Sequence, residues 1–108
     1  MIEKRPERSA YIRIEYPPKE RPRFKVGEHE MEVINLSEKG LKFLDNKQAY
    51  GTSGKMIDGA LIFLNGKLIK LRGQIVWNQG NEVGILINGR IAYPIMEEQR
   101  DLIKKNRP

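Results

Sequence analysis

The sequence predicts an all-β fold, a six-stranded antiparallel barrel that is followed by one C-terminal helix. Two observations support the barrel: short segments with β-type alternation are separated by turn residues, and no strand–helix–strand spacing occurs. A third observation supports the helix, because apolar residues adopt helical spacing only after Pro94. Short antiparallel strands joined by tight turns are typical of small closed barrels.

Size and composition predict one globular domain. The chain has 108 residues, of which 39% are hydrophobic and 31% are charged. Its longest apolar runs are too short to cross a bilayer, and its N-terminus lacks the apolar segment of a signal peptide. The absence of cysteine fits a reducing compartment. We therefore expect a cytoplasmic protein without membrane insertion, organised as an arm (1–22), a barrel (23–93) and a helix packed on the barrel (94–108).

The predicted arm carries much of the charge and four of the six prolines. Because proline fixes φ and has no N–H to donate, this stretch cannot hold a long helix. We expect a flexible basic arm with at most a short extended piece between Tyr11 and Tyr16. The whole chain has 20 Lys+Arg against 14 Asp+Glu, a formal net charge of +6. This surplus indicates an anionic partner, which is a nucleotide, a nucleic acid or an acidic protein.

Residues 23–55 predict three short strands and a surface loop. The first strand ends at a turn, Gly27-Glu28, and the second carries its apolar side chains at Met31, Val33 and Leu36. The third strand begins at residue 40 and ends at residue 44, and the polar residues 45–55 form the loop.

The second half of the barrel begins with a predicted hairpin. Asn65-Gly66 lies between two apolar segments and predicts a two-residue type I′ turn, which needs positive φ at both positions. The following strand alternates apolar and polar residues around Gly73, where we expect a bulge or a bend. A turn at Gln79-Gly-Asn81 leads into the last strand, residues 82–87. The residues expected in the core are Leu41, Phe43, Ile69, Leu71, Ile75 and Trp77.

The C-terminal segment changes to a helical period. Pro94 suits the first turn of a helix, where its missing N–H costs no hydrogen bond. One helical face carries Ile95, Met96, Gln99, Leu102 and Ile103. We prefer a helix that packs on the barrel to a helix that binds a partner.

Catalytic and metal-binding patterns are absent from the sequence. His29 is the single histidine, and there is no second histidine and no cysteine to complete a transition-metal site. The serines lack a nucleophile elbow and a second base, and no P-loop or Gly-x-Gly-x-x-Gly motif occurs. The sequence therefore predicts a binding protein with no metal and no cofactor, and not an enzyme.

One short motif points to a specific function. Asn35-Leu-Ser-Glu-Lys-Gly40 lies between two predicted strands, downstream of the arginine-rich arm. Its N-x-S-x-x-G spacing resembles the D/N-x-S-x-x-G motif of the PilZ domain, a family of bacterial barrels that bind the second messenger cyclic di-GMP. The resemblance covers nearly the whole chain, from the basic arm to the terminal helix. It implies a cyclic di-GMP receptor that signals to an effector protein, which the sequence leaves unidentified.

The chemistry of the ligand suits these residues. Arginine forms paired hydrogen bonds with phosphate or with the O6/N7 edge of guanine, and it stacks on purines. Asn35 and Ser37 would supply short polar groups for a base edge. Gly40 would let the chain turn or let the ligand approach the backbone. Simple stabilisation of a turn by Asn and Ser is the structural alternative.

The arm departs from the family pattern. The family carries R-x-x-x-R before the first strand, and with Arg13 at the second arginine Ser9 stands at the first. Arg8 then lies one residue too far away, and a flexible arm would bring it to the ligand. The predicted ligand-binding residues are therefore Arg8, Arg13, Asn35, Ser37 and Gly40. One alternative is a degenerate PilZ domain that serves as a ligand-independent interaction module. The other is a small-barrel nucleic-acid binder, and the concentration of the basic residues in the arm argues against it.

Overall fold

The computed structural model describes residues 12–46, residue 50 and residues 53–105. These contain seven strands, a short 3-10 helix at Pro18–Glu20 and one α-helix. The strands are β1 (Arg13–Glu15), β2 (Arg23–Val26), β3 (His29–Ser37), β4 (Gly40–Leu44), β5 (Met56–Ile62), β6 (Leu68–Gln79) and β7 (Glu82–Ile87), and the helix is α1 (Tyr93–Lys105). No helix within these ranges is long and apolar enough to span a membrane.

Six of the strands form a closed antiparallel barrel, which confirms the predicted fold class. The strand order is β1-β3-β2-β5-β6-β7-β4, and an additional pairing of β3 with β4 closes the ring. Strand β1 lies outside this ring and pairs with the last part of β3, where Arg13 is opposite Ser37. Closure of the ring pairs both sides of each of the six ring strands through backbone hydrogen bonds. Strand β1 adds one short edge strand beside them.

The barrel encloses a single apolar core. Its completely buried side chains include Phe24, Val33, Phe43 and Leu61. Phe24 and Phe43 contact each other with ring centroids 5.4 Å apart in a tilted arrangement. Of the six residues predicted for the core, Leu41, Phe43 and Ile75 are buried, and Ile69 and Leu71 are partly buried against the core.

The prediction for Trp77 is wrong, because β6 contains a bulge. Ile75 pairs with Ile85, but Trp77 pairs with Gly84, so Val76 is an extra residue in β6. One extra residue moves every later side chain to the opposite face of the strand. Trp77 is therefore 38% exposed on the outside of the barrel. Gly73 stays in register with Ile87, so the bulge lies three residues beyond the position suggested by the glycine.

The hairpin between β5 and β6 is present, although its loop is longer than predicted. Ile62 pairs with Leu68, and the Phe63 N–H donates to the carbonyl of Lys67. Three residues, Leu64 to Gly66, therefore form the loop, and Gly66 adopts a φ of 92°. A glycine with positive φ at the last loop position is typical of three-residue hairpins, whereas a two-residue type I′ turn needs positive φ at both positions.

Helix α1 packs with one face against the barrel. Met96 is completely buried, and Gln99 and Ile103 are also buried on this face. The Tyr16 hydroxyl donates a buried 2.9 Å hydrogen bond to Gln99 Oε1, which joins the segment after β1 to the helix. Burial raises the pKa of Tyr16 above its ordinary value.

The described part of the predicted arm, residues 12–22, lies on the barrel. Ile12, Ile14 and Tyr16 are buried, and Arg13 and Glu15 point outward. The Tyr16 N–H donates to the carbonyl of Ile34 at 2.9 Å. The first part of the predicted arm, residues 1–11, lies outside the described residues.

Candidate functional site

A cleft on the outer surface of the barrel contains four of the five predicted site residues. Its volume is about 570 Å³, within the range of small-molecule sites. Arg13 comes from β1, Asn35 and Ser37 from β3, and Gly40 from the start of β4. Residues of β6 and β7 complete the walls, among them Val76, Trp77, Gly84 and Leu86. Arg8, the fifth predicted residue, lies outside the described residues.

A second bulge directs Asn35 and Ser37 into this cleft. Val33 pairs with Phe43, but Asn35 pairs with Lys42, so Ile34 is an extra residue in β3. The extra residue keeps Leu36 in the core, where it is 1% exposed, and leaves Asn35 and Ser37 on the outer face. Bulges next to binding sites commonly reorient side chains in this way.

The turn between β3 and β4 is held by several hydrogen bonds. Ser37 Oγ donates to the carbonyl of Gly40 at 3.3 Å. The carbonyl of Lys39 accepts from the Ile87 N–H at 2.7 Å, and the carbonyl of Glu38 accepts from the Ile91 N–H at 2.8 Å. These backbone contacts fix the turn to the segment that leads into α1.

Gly40 lies close to the backbone of a neighbouring strand. A Cβ atom at this position would lie 3.1 Å from the carbonyl oxygen of Ile85 and 3.7 Å from Ser37 Oγ. Both atoms belong to the walls of the cleft, since Ile85 and Ser37 line it. The absence of a Cβ atom therefore eases the close approach of β4 and β7 beside the cleft.

Glu38 supports the turn from inside the protein. Its side chain is 1% exposed, and Oε1 contacts Arg90 Nη1 at 3.5 Å. Its other oxygen, Oε2, is buried without a hydrogen-bond partner among the described residues. A buried carboxylate depends on its few partners, so Arg90 ties the turn to the connection between β7 and α1.

Trp77 forms an aromatic wall of the cleft and does not lie in the core, where the strand alternation predicts it. A Cβ atom on Gly84 would lie 3.0 Å from Trp77 Nε1 and 3.1 Å from Cε2, so the indole lies directly against the backbone of β7. Lys42 Nζ is 5.5 Å from the centroid of the indole, within reach of a cation–π interaction. Lys42 also contacts Glu82 at 3.5 Å.

The charges that line the cleft are mainly positive. Among the described residues that line it, Arg13, Lys39 and Lys42 are the three cations and Glu15 is the one carboxylate. Asn35 Nδ2 donates to Glu15 Oε2 at 3.3 Å, consistent with the pairing of these two residues across β1 and β3. A cleft with cationic, amide and hydroxyl groups beside an exposed indole can bind a phosphate that carries a planar base.

The remaining candidate from the sequence, His29, lies at the far end of β3. Its exposed ring is 6.2 Å from the ring of Tyr50, edge to face. The Tyr50 N–H donates to Asp45 Oδ2 at 2.7 Å, and burial together with this carboxylate raises the pKa of Tyr50. In the part of the chain that the structure describes, no three histidine or acidic side chains are grouped to hold a metal ion.

Comparisons with known proteins agree with this fold. A family model described as the PilZ domain matches residues 7–105. The solved structure of an uncharacterized Legionella protein, Lpg0364, is similar with a TM-score of 0.65 at 14% identity, covering 89% of this chain and 100% of that one. The Bacillus subtilis inhibitor of motility MotI/DgrA is similar with a TM-score of 0.58 at 12% identity, covering 88% of this chain and 47% of that one. At such identities the structural likeness demonstrates a shared fold alone. No curated protein matches the sequence.

Proposed function

Because the chain belongs to the PilZ domain family, we propose that it is a cytoplasmic cyclic di-GMP receptor that binds the dinucleotide between β1 and the turn at residues 35–40. The observation that carries the proposal is that one cleft brings together Arg13, Asn35, Ser37 and Gly40. Strands β1, β3 and β4 supply these residues, and two of the strands meet at the motif. The family consists of binding and regulatory modules, and we assign this chain no catalytic role.

The composition of the cleft matches the chemistry of the ligand. Arg13 is exposed and has no ion pair among the described residues, so its guanidinium is available for a phosphate or for the O6/N7 edge of guanine. Asn35 and Ser37 offer hydrogen bonds to a base edge. The exposed indole of Trp77 offers a surface on which a purine stacks.

Ligand binding would change a surface that a partner protein recognises. The turn that contains the motif is joined to the segment before α1 through Glu38 and Arg90. A ligand that contacts both Arg8 and Arg13 would also tie the first residues of the chain to the cleft and create new surface for an effector protein.

Calorimetric titration of the full chain with cyclic di-GMP tests the proposal. We expect saturable binding that Arg13→Ala weakens by about tenfold to a hundredfold, because one charged hydrogen-bonding partner of a phosphate is lost. The matched control is Arg23→Ala, which removes the same charge from an exposed site outside the cleft. Absence of saturable binding to the unaltered chain would refute the proposal.

A ligand-independent interaction module is the second candidate. The observation that favours it is an exposed apolar pair at the β5–β6 hairpin, where Leu64 is 62% exposed and Leu68 is 51% exposed. Exposed apolar side chains of this kind are common in protein interfaces. If this candidate is correct, Leu64→Ser with Leu68→Ser would abolish partner capture, and cyclic di-GMP would have no effect on that capture.

A further inference from the structure

One residue of the cleft, Glu15, conflicts with a site built only for an anion. Its side chain lies on the outer face of β1 and lines the cleft together with Arg13, Lys39 and Lys42. Among the described residues, Glu15 forms no ion pair with these cations. Its side chain accepts a hydrogen bond from Asn35 Nδ2 at 3.3 Å. A carboxylate near two phosphates weakens their binding by like-charge repulsion, unless it has a favourable contact with another part of the ligand.

Guanine offers such a contact. Its Watson–Crick edge presents two adjacent donors, the N1–H and the 2-amino group, and an ionised carboxylate is an acceptor with two oxygens in matching geometry. Adenine presents an acceptor at N1 and a donor at N6, so one of its two groups would face a carboxylate oxygen without a hydrogen bond. A carboxylate at this position therefore distinguishes the two purines.

The contact between Glu15 and Asn35 prepares this acceptor. Asn35 donates through Nδ2, so its own Oδ1 remains free to accept, and each carboxylate oxygen of Glu15 can accept a further hydrogen bond. The two residues are opposite each other in the β1–β3 pairing, which sets their position on the cleft wall. Preformed acceptors lose little freedom when a ligand binds.

We propose that Glu15 accepts the N1–H and 2-amino hydrogens of one guanine and thereby gives the site its preference for guanine over adenine. The proposal rests on the proposed function, because it assumes that a cyclic dinucleotide occupies the cleft. It assigns Glu15 a direct contact with the base.

If Glu15 contacts the base, Glu15→Gln should change the affinities for cyclic di-GMP and cyclic di-AMP in opposite directions. If the carboxylate only repels phosphate, both affinities should rise. The glutamine amide carries one acceptor and one donor, so it conflicts with the two donors of guanine and matches the N1/N6 edge of adenine. We expect Glu15→Gln to weaken cyclic di-GMP binding by about tenfold to a hundredfold, because hydrogen bonds to a charged group are lost. Binding of cyclic di-AMP should become tighter.

The experiment is calorimetric titration of the full chain and its Glu15→Gln variant with cyclic di-GMP, cyclic di-AMP and the inosine analogue that lacks the 2-amino group. The expected order for the unaltered chain is guanine, then inosine, then adenine, and the variant should lose the difference between guanine and inosine. The control is Glu28→Gln, which removes an equal charge from an exposed residue outside the cleft. Thermal denaturation checks that each variant is folded.

Two outcomes would overturn the inference alone. Tighter binding of all three dinucleotides to Glu15→Gln would mean that the carboxylate only repels phosphate, and unchanged ratios would mean that it only positions Asn35. Failure of the unaltered chain to bind any of the three would instead refute the proposed function, and the inference with it.

Discussion

Replacing Asn35 and Ser37 together by alanine should weaken cyclic di-GMP binding much more than it lowers the stability of the fold. The structure predicts a small loss of stability, because the Asn35 hydrogen bond to Glu15 is exposed and the Ser37 hydrogen bond to Gly40 is long, 3.3 Å, and only partly buried. Such contacts contribute about 1 kcal/mol or less in total. In a domain of this size that corresponds to a fall in Tm of roughly 4–8 °C at most.

The loss of binding should be much larger. Two polar contacts with the ligand, each worth about 1–2 kcal/mol, would be removed together. The dissociation constant for cyclic di-GMP should therefore rise by about thirtyfold to a thousandfold. Calorimetric titration measures the binding, and thermal denaturation monitored by circular dichroism measures the stability.

The matched control replaces a serine and an asparagine outside the cleft, Ser53→Ala with Asn81→Ala. Asn81 Nδ2 also makes an exposed hydrogen bond, 2.8 Å to Asn46 Oδ1. The control should bind as the unaltered chain does. Unchanged binding by the Asn35 and Ser37 double variant, or its unfolding at ordinary temperature, would indicate that the two residues serve the turn and not the ligand.

Three further predictions concern Trp77, the N-terminal arm and Tyr16. Trp77 is the one tryptophan of the chain, so its fluorescence should change on saturation with cyclic di-GMP, and Trp77→Ala should weaken binding by about tenfold to a hundredfold; an unchanged emission spectrum would contradict stacking. Deleting residues 1–9 should abolish most binding in a folded barrel, and Ser9→Arg should tighten binding more than Ser9→Lys; an equal gain that disappears with salt would indicate charge alone. Above pH 10 the unfolded chain releases the Tyr16 proton and the folded protein retains it, so the free energy of unfolding should fall as pH rises, by up to about 1.4 kcal/mol per pH unit. Tyr16→Phe should remove this part of the slope in denaturant titrations between about pH 9 and about pH 11, and identical slopes in both proteins would contradict it.

The sequence predicts the barrel well because its strands alternate over short distances and its turns carry glycine. Strand alternation alone does not predict the bulge in β3, although the spacing of Val33 and Leu36 contains a usable signal for it. Two residues three positions apart cannot lie on the same face of a regular strand. Both are buried in the structure, so the bulge at Ile34 could have been inferred from this spacing.

The bulge at Val76 had no such signal. Ile75 and Trp77 have the spacing of a regular strand, and tryptophan fits a core by its apolar area. The pairing partner decides the outcome, since Gly84 leaves room for the indole on the outer surface. A residue on another strand therefore determines where Trp77 lies, and local alternation contains no information about it.

Glu15 was missed for a related reason. Its role depends on Asn35, twenty positions along the chain, which becomes its neighbour only when β1 pairs with β3. The motif at residues 35–40 could be found because its members are close in sequence. The other residues of the cleft come from separate strands, and only the topology brings them together.

The attachment of β1 should give the molecule two levels of hydrogen-exchange protection. The six ring strands are paired on both sides, but among the described residues β1 is paired only with β3. Its amides can therefore exchange through a local opening that separates β1 and exposes Ile14 and Tyr16 while the ring stays closed. A molecule bound to both Arg13 and the turn at residues 35–40 would connect the two sides of this opening. Exchange at β1 would then slow in proportion to ligand occupancy, and exchange in the ring would respond far less.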